Sequence, residues 1–375
     1  MKITHIGSTL LSPFPWVLVK VTTDEGLVGI GEAYHGVGVH QIVVDPRLTQ
    51  VLIGEDPRNV DKLFRDMMRR MSASGFYQGA VMSAISGIEM ALWDLTGQAA
   101  GVPIWQLLGG KFRDKIRVYN DCHAGNSESI DSWVAKAKEV EARGFDAIKF
   151  DIDPLPDQRD RYSRGISNDH IAYYIDVVKA VRETLDPNTD LLIDGHWKHS
   201  PTDILQVAKA YEDLNLFWLE DPIPPENIDA MARFTRSTTT PICTGENFYT
   251  AHGFRELVEK QAADIISPDL AKAGGLLEGR KIADLAELYY IPFCPHNICG
   301  PIGTMAATHV CAAVPNFQVL EFHHLDNEIW SGLLVEQDLI QSGHIHVTTA
   351  PGLGVTLNED AAKTASVDNL GFFED

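Results

Sequence analysis

Leu191-Leu192-Ile193-Asp194-Gly195-His196, Trp218-Leu219-Glu220-Asp221-Pro222 and Cys243-Thr244-Gly245-Glu246-Asn247 each run from a short apolar stretch into a carboxylate. Asp194, Glu220 and Glu246 stand 26 residues apart, twice in succession. That interval is about the length of one strand-plus-helix unit, so neighbouring parallel strands would deliver the three acids side by side at their carboxyl ends. A single strand-end acid reads equally well as a helix cap or a solvated loop residue. Equal spacing with identical placement argues for a shared task. Three converging oxygen ligands repel one another unless a cation lies between them, and oxygen-only ligation favours Mg²⁺ over zinc or copper. Asp221 rivals Glu220 as a ligand, but the Pro222 that follows directs Asp221 toward the turn.

Outward from this stretch, β-rich runs at residues 117–120, 147–151, 191–194, 217–220, 241–246, 264–268, 291–295 and 318–322 alternate with helical patterns such as residues 132–143, 168–184, 202–214 and 275–289. Eight right-handed βα repeats close most naturally into a barrel rather than an open sheet. Ahead of them, residues 17–30 alternate about a turn at Asp24-Glu25-Gly26, which reads as a β-hairpin. Met82, Ile85, Ile88 and Leu92 then mark one face of a helix. The fold class expected is α/β, a (β/α)8-type (modified TIM) barrel with an N-terminal α+β capping domain. Residues 1–115 form the cap, 116–345 the barrel, and 346–375 a C-terminal segment that returns to the cap.

Composition narrows the function. The chain has 375 residues, 45% hydrophobic and 22% charged, with a net charge of −21, so a large core is expected and a disordered class is excluded. No basic patch offsets that charge, which argues against nucleic acid or an anionic membrane as partner. No apolar run reaches the roughly 18 residues that a membrane span needs. Five scattered cysteines without CxxC spacing fit a reducing compartment rather than a disulfide framework. Met1 leads straight into a strand pattern without an export leader, so a cytoplasmic location is expected.

Further polar residues fall at strand ends. His296 follows Phe293-Cys294-Pro295, and Asp269 follows Ile266-Ser267-Pro268, again one unit earlier. A carboxylate on the adjacent strand would fix the imidazole tautomer and make His296 a competent general base. His196, two residues after Asp194, returns to the face of the first ligand if the strand continues. It would approach the substrate from the side opposite His296, a geometry suited to elimination or isomerisation. Lys149 and Asp151 end the second strand facing one way, as a salt bridge or as groups for a substrate oxygen. Glu321, ending the eighth strand, is placed to stabilise an oxyanion, directly if protonated or through a neighbour.

Together with Ala91-Leu92-Trp93-Asp94-Leu95, Leu107-Leu108-Gly109-Gly110 and Pro351-Gly352-Leu353-Gly354-Val355, these residues resemble the enolase superfamily, specifically the mandelate racemase branch that contains acid-sugar dehydratases. The resemblance spans essentially the whole chain. It implies one Mg²⁺ per subunit on Asp194, Glu220 and Glu246, a base made of His296 with Asp269, and Glu321 beside the enolate oxygen. His196 matches the general acid of galactonate-, gluconate- and mannonate-type dehydratases. Lys149-Phe150-Asp151 departs from the Lys-x-Lys motif of two-base racemases and cycloisomerases. In such enzymes the cap covers the barrel mouth, which makes Phe14, Pro15, Trp16, Tyr34 and His35 lid candidates. Trp16, His35, Asp151 and Asn247 are taken as substrate-binding.

Asn247 stands where several sugar-acid dehydratases have arginine, and the loop at residues 152–165, with Asp157, Arg159, Asp160, Arg161 and Arg164, has no assigned role. The resemblance implies a small carboxylate substrate, a sugar acid, and a homo-oligomer, dimer or octamer. The expected reaction is dehydration to a 2-keto-3-deoxy acid. Alternatives are a racemase, epimerase or cycloisomerase using Lys149 and His296, and a catalytically silent binding or structural member.

Overall fold

The computed structural model describes residues 1–74, 78–122, 129–152 and 164–373. The hairpin expected about Asp24-Glu25-Gly26 is present. β2 (Val17–Thr23) and β3 (Val28–Ala33) pair antiparallel, and β1 (Ile3–Leu10) pairs with β2. Gly26 turns the chain with φ 81°, a left-handed conformation open to glycine. This sheet packs on the helix Gly79–Ala100, whose buried residues include Met82, Ile85, Ile88 and Leu92. The backbones approach so closely that a side-chain carbon on Gly31 would lie 2.2 Å from the carbonyl oxygen of Gly87. Near the C-terminus, Val367 donates to the Leu10 carbonyl at 2.8 Å, which brings the end of the chain back to β1.

Six parallel strands follow in ring order: β4 (Lys115–Cys122), β5 (Ala147–Asp151), β6 (Asp190–Asp194), β7 (Trp218–Glu220), β8 (Ile242–Thr244) and β9 (Ile265–Ile266). The seventh position is a single residue, Phe293, bridged to Ile266 on one side and Phe317 on the other. Pro292 and Pro295 flank it and offer no N–H, which cuts the expected strand at 291–295 to that one rung. β10 (Leu320–Phe322) then pairs with β4 and closes the ring. A short antiparallel ribbon, β11 (Ile340–Gln341) and β12 (His344–His346), adds to β4.

The strand period of two sorts the side chains. Tyr119, Ala147, Leu192, Trp218, Cys243, Ile265, Cys294 and Val319, one from each strand position, form a buried cluster of their own that fills the barrel. Their sequence neighbours, such as Ile148, Ile193 and Leu219, join the larger core beneath the helices. Two residues beyond the filling side chains stand Asp121, Lys149, Asp194, Glu220, His296 and Glu321. The same parity that packs the interior therefore points these polar groups inward, one layer nearer the carboxyl ends. All five cysteines are buried and free. Among the described residues no helix is long and apolar enough to cross a membrane.

Candidate active site at the barrel mouth

Lys149 is the hub. Its Nζ lies 2.6 Å from Glu321 Oε1, 3.1 Å from Glu220 Oε2, and 3.3 Å from both Asp194 Oδ2 and Asp121 Oδ2. Burial alone would drive the amine toward its neutral form, but the charges of Glu220 and Glu321 outweigh it and hold the pKa well above the usual lysine value. Lys149 is therefore an ammonium among four acidic side chains, and of the pairings the sequence leaves open, with Asp151 or with the candidate metal ligands, the contacts to Asp194 and Glu220 match the second.

Among the described residues three groups could hold a metal: Asp151, Asp194 and His196; Glu220, Asp221 and Glu246; and Asp121, Glu321 and His323, the atoms of each lying within 4.8 Å of one another. Asp194 thus falls in a different group from Glu220 and Glu246, and Lys149 touches a member of all three. Asp221 does not face the turn as expected. It is fully buried, because φ 40° swings its side chain inward beside that of Glu220. Glu220 Oε1 and Asp221 Oδ2 are buried without a hydrogen-bond partner among the described residues. Burial raises the pKa of Glu220 well above the usual value against the lowering charge of Lys149, burial with the charges of Glu246 and Asp194 does the same for Asp221, and burial raises Asp194 too. Orphaned carboxylate oxygens crowded together in a buried site fit a hard divalent cation.

Opposite lies the histidine pair. His296 Nδ1 is 2.7 Å from Asp269 Oδ2, and its Nε2 is 2.9 Å from Glu246 Oε2 and 3.7 Å from Glu321 Oε2. Asp269 is itself fixed, its Oδ1 accepting from Ala271 N–H at 2.8 Å and Lys272 N–H at 3.1 Å. Burial would lower the imidazole pKa, but Glu246 and Glu321 raise it well above the usual value. The same contact, with Lys272, overrides burial at Glu246 and brings its pKa down to about 2. Glu246 leaves the strand parity through Gly245, where a side-chain carbon would sit 2.8 Å from the Ser267 nitrogen.

Glu321 is surrounded by donors. Besides Lys149, its Oε1 meets His323 Nε2 at 3.1 Å, and its Oε2 accepts from Asn297 N–H at 2.9 Å. Burial would raise its pKa, but the charges of Lys149, His296 and His323 overcome it and hold the pKa well below the usual carboxylate value. Of the two modes open from the sequence, an ionised Glu321 favours action on an oxyanion through a neighbouring donor.

β6 ends at Asp194, so the period-of-two argument does not extend to His196, which has φ 46°. The turn nevertheless leaves its Nε2 3.7 Å from Asp194 Oδ2, with 28% of the side chain exposed. Asp151 is buried in the same group. Asn247 is exposed and lines a 490 Å³ cleft with Gln78, Phe248 and Tyr249. Trp16 is buried, its Nε1 donating to the Ile298 carbonyl at 3.2 Å, between Phe14 and His324. His35 stacks on Tyr34 with centroids 4.2 Å apart. Asp157, Arg159, Asp160 and Arg161 lie outside the described residues, while Arg164 donates to the Trp197 carbonyl at 3.0 Å.

Four contributors escape the sequence reading: Asp121, Lys272, Asn297 and His323. Asp121 obeys the parity of the first strand and meets His323 Nε2 at 3.2 Å. Lys272 lies 3.5 Å from Glu246 Oε1 and 3.4 Å from Asn247 Oδ1, with Tyr34 of the cap 4.3 Å over its Nζ. Its signal was a lysine one helical turn after Asp269. Asn297 follows His296 and holds Glu321.

Residues 3–109 match the mandelate racemase / muconate lactonizing enzyme N-terminal domain, and residues 132–361 the enolase C-terminal domain-like family. The chain belongs to the enolase superfamily. Within that superfamily it is similar to a D-xylonate dehydratase of Haloferax volcanii, 44% identical over 377 residues, 100% of this chain and 91% of that one. A D-gluconate/D-galactonate dehydratase of Picrophilus torridus is 31% identical over 389 residues, covering 100% and 95%. The crystal structure of a mandelate racemase/muconate lactonizing enzyme-like protein from Rubrobacter xylanophilus matches with a TM-score of 0.95 at 43% identity, covering 100% of this chain and 99% of that one.

Proposed function

We propose that the chain is a Mg²⁺-dependent dehydratase of an aldonic acid, yielding a 2-keto-3-deoxy acid. The observation that carries this reading is the pairing of two histidines of different settings about one acidic centre. His296 is buried and oriented by Asp269, and His196 is partly exposed beside Asp194. Asp194, Glu220 and Glu246 would hold the metal, with Asp221 beside them. When bound, a divalent cation supplies the positive charge that makes an α-proton next to a carboxylate acidic enough for imidazole. His296 has Nδ1 committed to Asp269, and with Glu246 taken up by a metal its Nε2 would be released from that carboxylate and free to receive the α-proton. Lys149 and His323 donate toward the charge developing on the substrate carboxylate and are themselves held by Glu321. His196 gives a proton to the departing 3-hydroxyl.

D-xylonate is the first acid to test, on the name of the Haloferax volcanii relative. The racemase alternative would use Lys149 with His296, and Lys149-Phe150-Asp151 departs from the Lys-x-Lys motif of such enzymes. The test is a panel of five- and six-carbon sugar acids with Mg²⁺, read by appearance of 2-keto-3-deoxy product. Deuterium exchange at the α-carbon without loss of water would favour the racemase, and absence of turnover across the panel would count against dehydration.

A further inference from the structure

Glu32, near the end of β3 in the cap, is fully buried, and both its oxygens are met from the barrel. Oε1 accepts from Gly300 N–H at 2.5 Å and Oε2 from Gly303 N–H at 2.8 Å. These groups open the helix Pro301–Ala313, whose own N-cap, Gly300, supplies no side chain. Free N–H groups and the positive end of the helix dipole both favour an anion there, so Glu32 performs from another domain the task that a capping side chain performs locally. Only small residues permit the approach. A side-chain carbon on Gly300 would lie 3.1 Å from Glu32 Oε2, and one on Gly303 would lie 2.6 Å from Cys299 Cβ.

The capped turn is wired to the candidate site. Thr304 Oγ1 accepts from Asn297 Nδ2 at 3.0 Å, and the same Nδ2 lies 3.1 Å from the Glu321 carbonyl. The Asn297 backbone N–H holds Glu321 Oε2, and Asn297 is the residue after His296. Trp16, also from the cap, fixes the intervening Ile298 carbonyl. Cap contacts at 298, 300 and 303 thus lie between the barrel contacts of Asn297 and Thr304 on one short segment.

We propose that Glu32 is a positioning residue of the catalytic centre: by capping the helix Pro301–Ala313 it fixes Thr304 and Asn297, and through them Glu321 and the chain carrying His296. Docking of the cap then completes the site as well as covering it. The kinetic arm of the test rests on the dehydratase reading, whereas its exchange arm does not.

The comparison is Glu32→Gln against Asp94→Asn in the full chain with Mg²⁺. Asp94 is also a buried cap carboxylate, but it accepts from Leu353 and Ile30 N–H and does not touch the 297–304 segment. Glu32→Gln should lower kcat by about 10–100-fold with KM within about threefold, as sub-ångström misplacement of reacting groups does. Amide exchange across 297–304 should quicken by about tenfold. Asp94→Asn should leave both kcat and that exchange within about twofold, whatever it does to the melting temperature. Wild-type exchange across 297–304 in Glu32→Gln, or equal kcat losses in the two variants, would overturn the proposal. Should Glu32→Gln fail to fold, Thr304→Val cuts the same chain on the barrel side. It must speed exchange at Asn297 and lower kcat, and wild-type values for both would overturn the proposal. If the wild type turns over no sugar acid, the dehydratase reading fails while the exchange measurement still decides the role of Glu32.

Discussion

The seam between cap and barrel and the mouth of the barrel both bury carboxylates, and they settle them in opposite ways. At the seam, Glu32, Glu89 and Asp94 each accept backbone N–H groups on both oxygens: Glu32 from Gly300 and Gly303, Glu89 from Leu276 and Leu277, Asp94 from Leu353 and Ile30. No cation takes part in these bonds. At the mouth, Asp194, Glu220, Asp221 and Glu246 crowd together around Lys149 and His296, with oxygens left over. The seam acids are held by backbone donors and lock neighbouring segments in place, Glu32 among them the segment that leads to the catalytic centre. The mouth acids remain short of positive charge, which is the condition for holding a divalent cation and an anionic reaction centre.

Removing a mouth acid should therefore harm function and spare the fold. Asp194→Asn is expected to lower sugar-acid turnover by at least about 10³-fold, while its melting temperature in chelator stays equal to or above that of the wild type. A marked loss of stability would place Asp194 with the seam acids instead. Lys149→Met leaves four carboxylates without their shared ammonium and should destabilise the chain by about 3–5 kcal/mol in chelator, measured by urea unfolding. Added Mg²⁺ should restore part of that loss.

A gentler break is His196→Asn. It should slow product formation by about 10²-fold yet leave exchange of the α-proton with solvent deuterium intact, because His296 is untouched. Equal loss of both would remove His196 from the acid role.

The smallest effect sharpens the seam side. Burial, opposed by two backbone N–H bonds, raises the Glu89 carboxyl from 4.5 to about 7. The folded chain therefore holds a proton between those values that the unfolded chain has released. This contribution to stability is full below about pH 4.5 and is lost as pH rises through about 7. Glu89→Gln should flatten the fall in unfolding free energy between pH 5 and 7 by roughly 2 kcal/mol, measured by urea unfolding at each pH.

The barrel was legible because equal spacing and a period of two survive in a linear chain: Asp194, Glu220, His296 and Glu321 lie where the parity of Leu192, Trp218, Cys294 and Val319 sends them. Asp121 obeyed the same parity at the first strand, where no repeat spacing drew attention to it. Asp221 and His196 broke it, since a left-handed φ at either residue leaves no unique mark on the sequence. The seam was the least visible region. Glu32 and Gly303 are 271 residues apart, and a strand acid that caps a helix in another domain is indistinguishable from a solvated one until the chain is folded.

The most direct measurement follows D-xylonate in deuterated buffer with chelated protein as Mg²⁺ is added back. The account predicts 2-keto-3-deoxy product that forms only as the metal site fills, carries deuterium at C3, and is missing in Asp194→Asn. Undiminished turnover in chelator, or full turnover by Asp194→Asn, would contradict it.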